Sequence, residues 1–214
     1  MAESFNKKDG SQVVGGLVLV IQENKAYLSE IDGAIGDGDH GINMNKGFTM
    51  FADQVNLAEE DMGTALKKLG RILLTEIGGS MGPIYGTFFI EMSKVIKDAD
   101  VVDAPTFGKM LRAAVVGLQA LGDAKVGDKT MMDTLIPATA AFEAAEGSGF
   151  VAALDAMEAA AKKGWESTKA LQAKVGRASR LGERSIGVLD AGATSTWLIL
   201  ESFAKSIRSV LSAS

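Results

Sequence analysis

A chain of 214 residues with 22 Lys+Arg against 27 Asp+Glu, a net charge of −5, has no electrostatic basis for holding nucleic acid or an anionic membrane. It contains no cysteine, which excludes a disulfide scaffold, a zinc-thiolate site and a cysteine nucleophile. Its 47% hydrophobic content with only 6% aromatics and three prolines favours helices in one domain spanning 1–214, and a soluble, cytoplasmic protein is the default expectation.

Lys7-Lys8 ahead of Val13 to Ile21 imitates a signal peptide, but no convincing small-residue cleavage site follows. The apolar positions continue at helical spacing through Leu17, Val20, Ile21, Leu28 and Ile31, so an amphipathic helix over 11–30 explains the run better. The same period predicts helices over 41–55, 60–77, 83–98, 105–121, 130–145, 149–174 and 193–212, eight in all. No apolar run approaches the ~18 residues that a bilayer-spanning helix needs, and convincing β alternation is missing. The expected fold class is all-α. The alanine-rich stretch from Ala138 to Ala161 suits a tightly packed helix pair.

Between the first two helices lies Asp32-Gly-Ala-Ile-Gly-Asp37-Gly-Asp39-His40-Gly41, three carboxylates within eight residues. Like charges so close repel unless an opposite charge sits between them. Oxygen ligands without sulfur, and a single histidine, point to Mg²⁺, Mn²⁺ or Ca²⁺ rather than zinc. The spacing does not match the twelve-residue calcium loop, so magnesium with phosphate is the favoured pairing. A solvated turn that caps the next helix is the alternative.

The other unusual residues also fall in the breaks: Gly78-Gly79-Ser80-Met81-Gly82-Pro83, Gly122 through Lys129-Thr130-Met131, Gly176-Arg177 through Arg184-Ser185, and Asp190-Ala191-Gly192-Ala193. Each couples glycine to a donor or charge ahead of a helix start, where free N–H groups favour anions. Converging on one rim, they would cradle a polyphosphate, although each alone is more often a plain C-cap or turn. Lys46, Lys129, Arg177, Arg180 and Arg184 are the candidate charge stabilisers, Lys46 equally a solvated surface residue. No Walker motif, GxGxxG or kinase HRD/DFG set is present.

Ile35-Gly-Asp-Gly-Asp-His-Gly-Ile-Asn-Met-Asn45, Gly78 to Gly86, Gly127-Asp-Lys-Thr-Met131, Gly176-Arg-Ala-Ser179, Leu181 to Gly187 and Asp190-Ala-Gly-Ala-Thr194 together resemble the nucleotide-binding L subunit of dihydroxyacetone kinases. The resemblance implies an eight-helix antiparallel barrel holding ADP or ATP at one end through two Mg²⁺ ions on Asp32, Asp37 and Asp39. It further implies nucleotide contacts at His40, Gly41, Ile42, Asn43, Ser80, Met81, Gly122, Met131, Arg177, Asp190, Ala191 and Gly192, with Arg177 and His40 as the catalytic pair. In the phosphotransferase-coupled mode, ADP stays bound and is rephosphorylated by the phosphohistidine of an M subunit. Its γ-phosphoryl group then passes to dihydroxyacetone on a separate K subunit. Because only the nucleotide domain is present, the substrate partner is expected on another polypeptide, and pairing with a second copy stays open.

Two departures bear on the contacts. Met81 stands where many relatives carry a small hydroxyl residue, and Ala191 replaces a common proline. Other readings are a nucleotide subunit of an ATP-dependent kinase for another small ketose such as erythrulose, a fatty-acid-kinase-type domain, or a nucleotide-sensing module that docks a transcription regulator. His40 could itself relay a phosphoryl group, but a phosphorylated ring beside a metal ligand would compete with bound phosphates for the metal.

Overall fold

The computed structural model describes residues 3–213. Among them are nine α-helices: α1 (Ser11–Glu23), α2 (Lys25–Ile35), α3 (His40–Gln54), α4 (Met62–Glu76), α5 (Met81–Val95), α6 (Ala104–Leu121), α7 (Met132–Ala145), α8 (Phe150–Ser167) and α9 (Ala191–Ala213). The all-α expectation holds. The helix expected over 11–30 is broken at Asn24, whose side-chain amide donates to the Val20 carbonyl at 2.8 Å. That bond competes with the helical ladder and bends the chain into α2. A small sheet was not foreseen: β1 (Ser4–Asn6) pairs antiparallel with β2 (Val101–Asp103), with Phe5 opposite Val102. Three-residue strands are too short to show a period.

α1, α3, α4, α5, α6, α7, α8 and α9 pack each on the next, and α9 closes the ring against α1. With α2 continuing the first stave, the barrel has eight staves and short antiparallel turns between most of them. Leu17, Ile21, Leu28 and Ile31, the stripe read from the sequence, are buried, whereas Val20 is only partly so. At the β1 end, Phe107 packs on Phe142, Phe150 and Phe203 with ring centroids 5.4–6.0 Å apart. The alanine-rich pair α7 and α8 is tightly packed as expected. Gly164 makes this approach feasible, because a Cβ there would stand 2.2 Å from the Asp133 carbonyl oxygen.

Helix starts follow local chemistry. Asp61 accepts from the Thr64 amide at 3.0 Å and Asp103 from the Thr106 amide at 2.8 Å, each satisfying a free donor of the first turn. The helix expected over 149–174 stops at Ser167, where the Ser167 and Thr168 hydroxyls donate to the Gly164 and Trp165 carbonyls. Short 3₁₀ turns, Thr168–Ala170 and Arg177–Ser185, follow instead and form a long excursion before α9. No helix is long and apolar enough to cross a membrane among the described residues.

Candidate functional site

Up-and-down topology sends alternate connections to the same end. The α2–α3, α4–α5, α6–α7 and α8–α9 connections therefore meet, and together they line a cavity of about 330 Å³. All the interhelical segments singled out in the sequence for unusual residues belong to this set.

Asp32 projects from the last turn of α2, and Asp37 and Asp39 from the loop after it. One ligand oxygen from each lies within 4.8 Å of the others. Two glycines make this possible. A Cβ on Gly36 would sit 2.3 Å from the Asp32 Oδ1, and Gly38 has φ +75°, a left-handed conformation costly for other residues. The His40 amide, at the start of α3, donates to Asp32 Oδ2 at 3.2 Å and so fixes that carboxylate to the next helix. Burial, then the Asp37 and Asp32 charges, raise the Asp39 carboxyl above its ordinary range. The Arg177 guanidinium pairs with Asp37 although its side chain is 68% exposed. Three hard oxygen donors held this close, with the carboxyl of Asp39 raised and a cation drawn in from a distant loop, fit a divalent ion.

His40 is buried, with 8% exposure, and burial pushes its imidazole down to about 4, so the ring is neutral at pH 7. Its Nε2 lies 2.9 Å from Ser195 Oγ, which is 2.5 Å from the Tyr85 hydroxyl. The Tyr85 ring meets His40 edge-on with centroids 6.1 Å apart. Tyr85 and Ser195 were missed in the sequence. Tyr85 lay inside the Gly78–Gly86 segment and Ser195 one residue beyond Thr194, but a residue on a helix face gives no loop signal.

Ser80 and Met81 open α5 at the cavity, and Ser80 makes no capping bond, which leaves its hydroxyl and the first amides of α5 available. Asp190 Oδ2 accepts from the Ala193 amide at 2.7 Å and caps α9. Burial, opposed by that amide and by Lys129, pushes the Asp190 carboxyl up to about 7. Asp133 accepts from Gly127 at 2.6 Å and Thr130 at 2.7 Å, shaping the loop that presents Met131. Thus Asp32, Asp37, Asp39, His40, Ser80, Met81, Met131, Arg177, Asp190, Ala191 and Gly192 all border one cavity.

Four expected residues lie outside this lining. Gly41 is packed against α2, where a Cβ would come 2.0 Å from the Lys25 carbonyl oxygen. In the first turn of α3, Ile42 is 53% exposed and Asn43 half-buried, and Gly122 is exposed at the end of α6. Lys46 reaches the Glu76 carbonyl at 3.2 Å on the outer surface, and Arg180 and Arg184 are exposed away from the cavity wall. Lys129 borders the cavity but departs from the expectation placed on it as a charge stabiliser: it is 1% exposed, and its Nζ donates to backbone carbonyls, among them Thr168 at 2.7 Å and Ser185 at 2.8 Å.

Residues 34–205 match the model of the DAK2 domain. The chain belongs to the DAK2 domain family. Among its relatives, the PEP-dependent dihydroxyacetone kinase 1 ADP-binding subunit DhaL of Listeria innocua is 41% identical over 180 residues, covering 84% of this chain and 86% of that protein. The corresponding DhaL subunit of Escherichia coli is 36% identical over 188 residues, with 86% and 90% coverage. The fold of the family member also matches the crystal structure of the C. freundii dihydroxyacetone kinase in complex with AMP-PNP and Mg²⁺. The TM-score is 0.68 at 22% identity, over 92% of this chain and 33% of that one.

Proposed function

We propose that this DAK2-family chain is the ADP-binding phosphoryl-transfer subunit of a dihydroxyacetone kinase, and that the cavity takes the nucleotide diphosphate. The observation that carries the reading is the convergence of Asp32, Asp37 and Asp39 within 4.8 Å at the mouth of a cavity onto which the starts of α5 and α9 open. Relatives named as ADP-binding subunits, and a structural neighbour crystallised with AMP-PNP and Mg²⁺, support it.

Asp32, Asp37 and Asp39 would hold two Mg²⁺ ions, whose charge, added to three carboxylates, sums to +1 and attracts a polyphosphate that the bare aspartates would repel. Arg177 shares Asp37 with that cation site, so filling the site releases the guanidinium to face phosphate oxygens. The free amides at Ser80-Met81 and the α9 start would cradle the remaining oxygens, with Met81 and Met131 against the apolar part of the nucleotide. Catalysis then comes mainly from positioning and charge. Neutral His40, its Nε2 engaged by Ser195, would orient Asp32 and wall the site rather than carry a phosphoryl group.

ADP is proposed to remain bound between turnovers, to be recharged by a phosphohistidine protein, and to pass its γ-phosphoryl group to dihydroxyacetone on a K-type subunit. Exposed Ile42, Leu121, Val126, Val175 and Ile186 lie on the connections that meet at the cavity or in the helix turns beside them, an apolar rim suited to a protein partner. Protein purified in Mg²⁺ should carry about one ADP per chain, lost on treatment with EDTA. Absence of nucleotide binding in calorimetry with Mg·ADP, or binding indifferent to chelator, would defeat the reading.

A further inference from the structure

Lys129 is a buried cation to which the proposed phosphate contacts give no part. Its backbone has φ +63°, alone among the described non-glycine residues in that region, and such a conformation costs a lysine energy that glycine would be spared. Four carbonyls offset this cost. Thr168 and Leu171 accept from its Nζ at 2.7 and 3.1 Å, Ser185 at 2.8 Å, and Val188 completes the set. An ammonium has three protons, so one is shared. The acceptors form two pairs, one from each end of the excursion between α8 and α9. That excursion carries Arg177, which pairs with Asp37, and runs into Asp190.

We propose that Lys129 is a positioning residue: by clasping both ends of the 168–188 segment, it seats Arg177 and Asp190 at the nucleotide cavity. Its functional consequence rests on the nucleotide reading above, whereas the clasp itself does not. The ends are cross-braced elsewhere, by the Gly187 amide on the Lys169 carbonyl at 2.8 Å and the Ala173 amide on Ser185 Oγ at 2.9 Å. Loss of the ammonium therefore loosens the segment while the helices stay packed.

The test compares wild type, Lys129→Met and Lys129→Cys. Because the chain has no cysteine of its own, aminoethylation of Lys129→Cys in denaturant, followed by refolding, rebuilds a lysine-like ammonium at that position alone. Without nucleotide, trypsin should cut Lys129→Met at Arg177, Arg180 or Arg184 at least about tenfold faster than wild type, with cleavage elsewhere unchanged. Calorimetry should show Mg·ADP affinity reduced by about tenfold or more in the same protein. Aminoethylation should return both readouts to the wild-type level, whereas unmodified Lys129→Cys should behave like Lys129→Met. Refolding of only the aminoethylated form would likewise support the clasp. Wild-type digestion and affinity in Lys129→Met, or equal behaviour of modified and unmodified Lys129→Cys, would overturn it. If wild type itself does not bind Mg·ADP, the nucleotide reading fails and the digestion rates still decide the clasp.

Discussion

At the scale of single residues, Asp37 separates a cation site from a plain turn. Asp37→Asn keeps size and turn-forming capacity but removes one anionic ligand, so the rise in Tm produced by Mg·ADP should largely vanish. The nucleotide-free protein should hardly notice. One member of a repelling trio is gone, and the lost Arg177 pair is exposed and worth about 0–1 kcal/mol. Thermal unfolding of both proteins with and without Mg·ADP checks this, and an equal ligand-induced rise in the two would remove Asp37 from the proposed site. Arg177 belongs to the same comparison. It approaches the aspartates only because the 168–190 excursion folds back, so Arg177→Met should weaken Mg·ADP binding with the apo midpoint unchanged.

At the scale of elements, two contacts set measurable costs. The α7–α8 approach depends on Gly164, and Gly164→Ala would force a methyl group against the Asp133 carbonyl, destabilising the protein by about 1–3 kcal/mol in urea unfolding. Asp133 also shapes the 122–131 loop, so the same variant should lose some nucleotide affinity. The cap of α6 supplies a pH-dependent term. The Thr106 hydroxyl and amide hold the Asp103 carboxyl below its ordinary value, so the folded state prefers the anion and the unfolded state binds more protons. This stability is present above the ordinary carboxylate range near 3.8 and fades as pH falls through the lower folded value. Asp103→Asn should keep the cap and flatten that part of the acid profile, whereas Asp103→Ala should cost about 1 kcal/mol at neutral pH. Unfolding midpoints between pH 2 and 7 distinguish the three proteins.

For the whole molecule, the cavity and its apolar rim occupy one end of the barrel, while β1, β2 and the phenylalanine cluster close the other. A subunit built this way should show no ketose kinase activity alone and gain it with a K-type partner and a phosphoryl donor. Turnover of dihydroxyacetone by the isolated chain with ATP would refute the division of labour. Val126→Asp and Ile186→Asp place charges on the rim without touching the cavity wall. They should weaken coupling to the partner by about tenfold or more in activity titrations and leave Mg·ADP binding intact.

The helices were legible because a 3.6-residue apolar period follows from burying one face, and local caps such as Asp103-Ala-Pro105 repeat that information within a few residues. The aspartate loop was legible for a similar reason, since its carboxylates lie within eight residues and their convergence needs only the glycines between them. Tertiary structure decided the rest. Asn24 splits the first stave through a hydrogen bond too weak to disturb the apolar period. Tyr85 and Ser195 are 110 residues apart and meet His40 only because α3, α5 and α9 all start at one rim. Lys129 looks in sequence like any phosphate-directed lysine. Its fate was set by four carbonyls from 39 to 59 residues away, since a buried ammonium must find acceptors wherever the fold brings them.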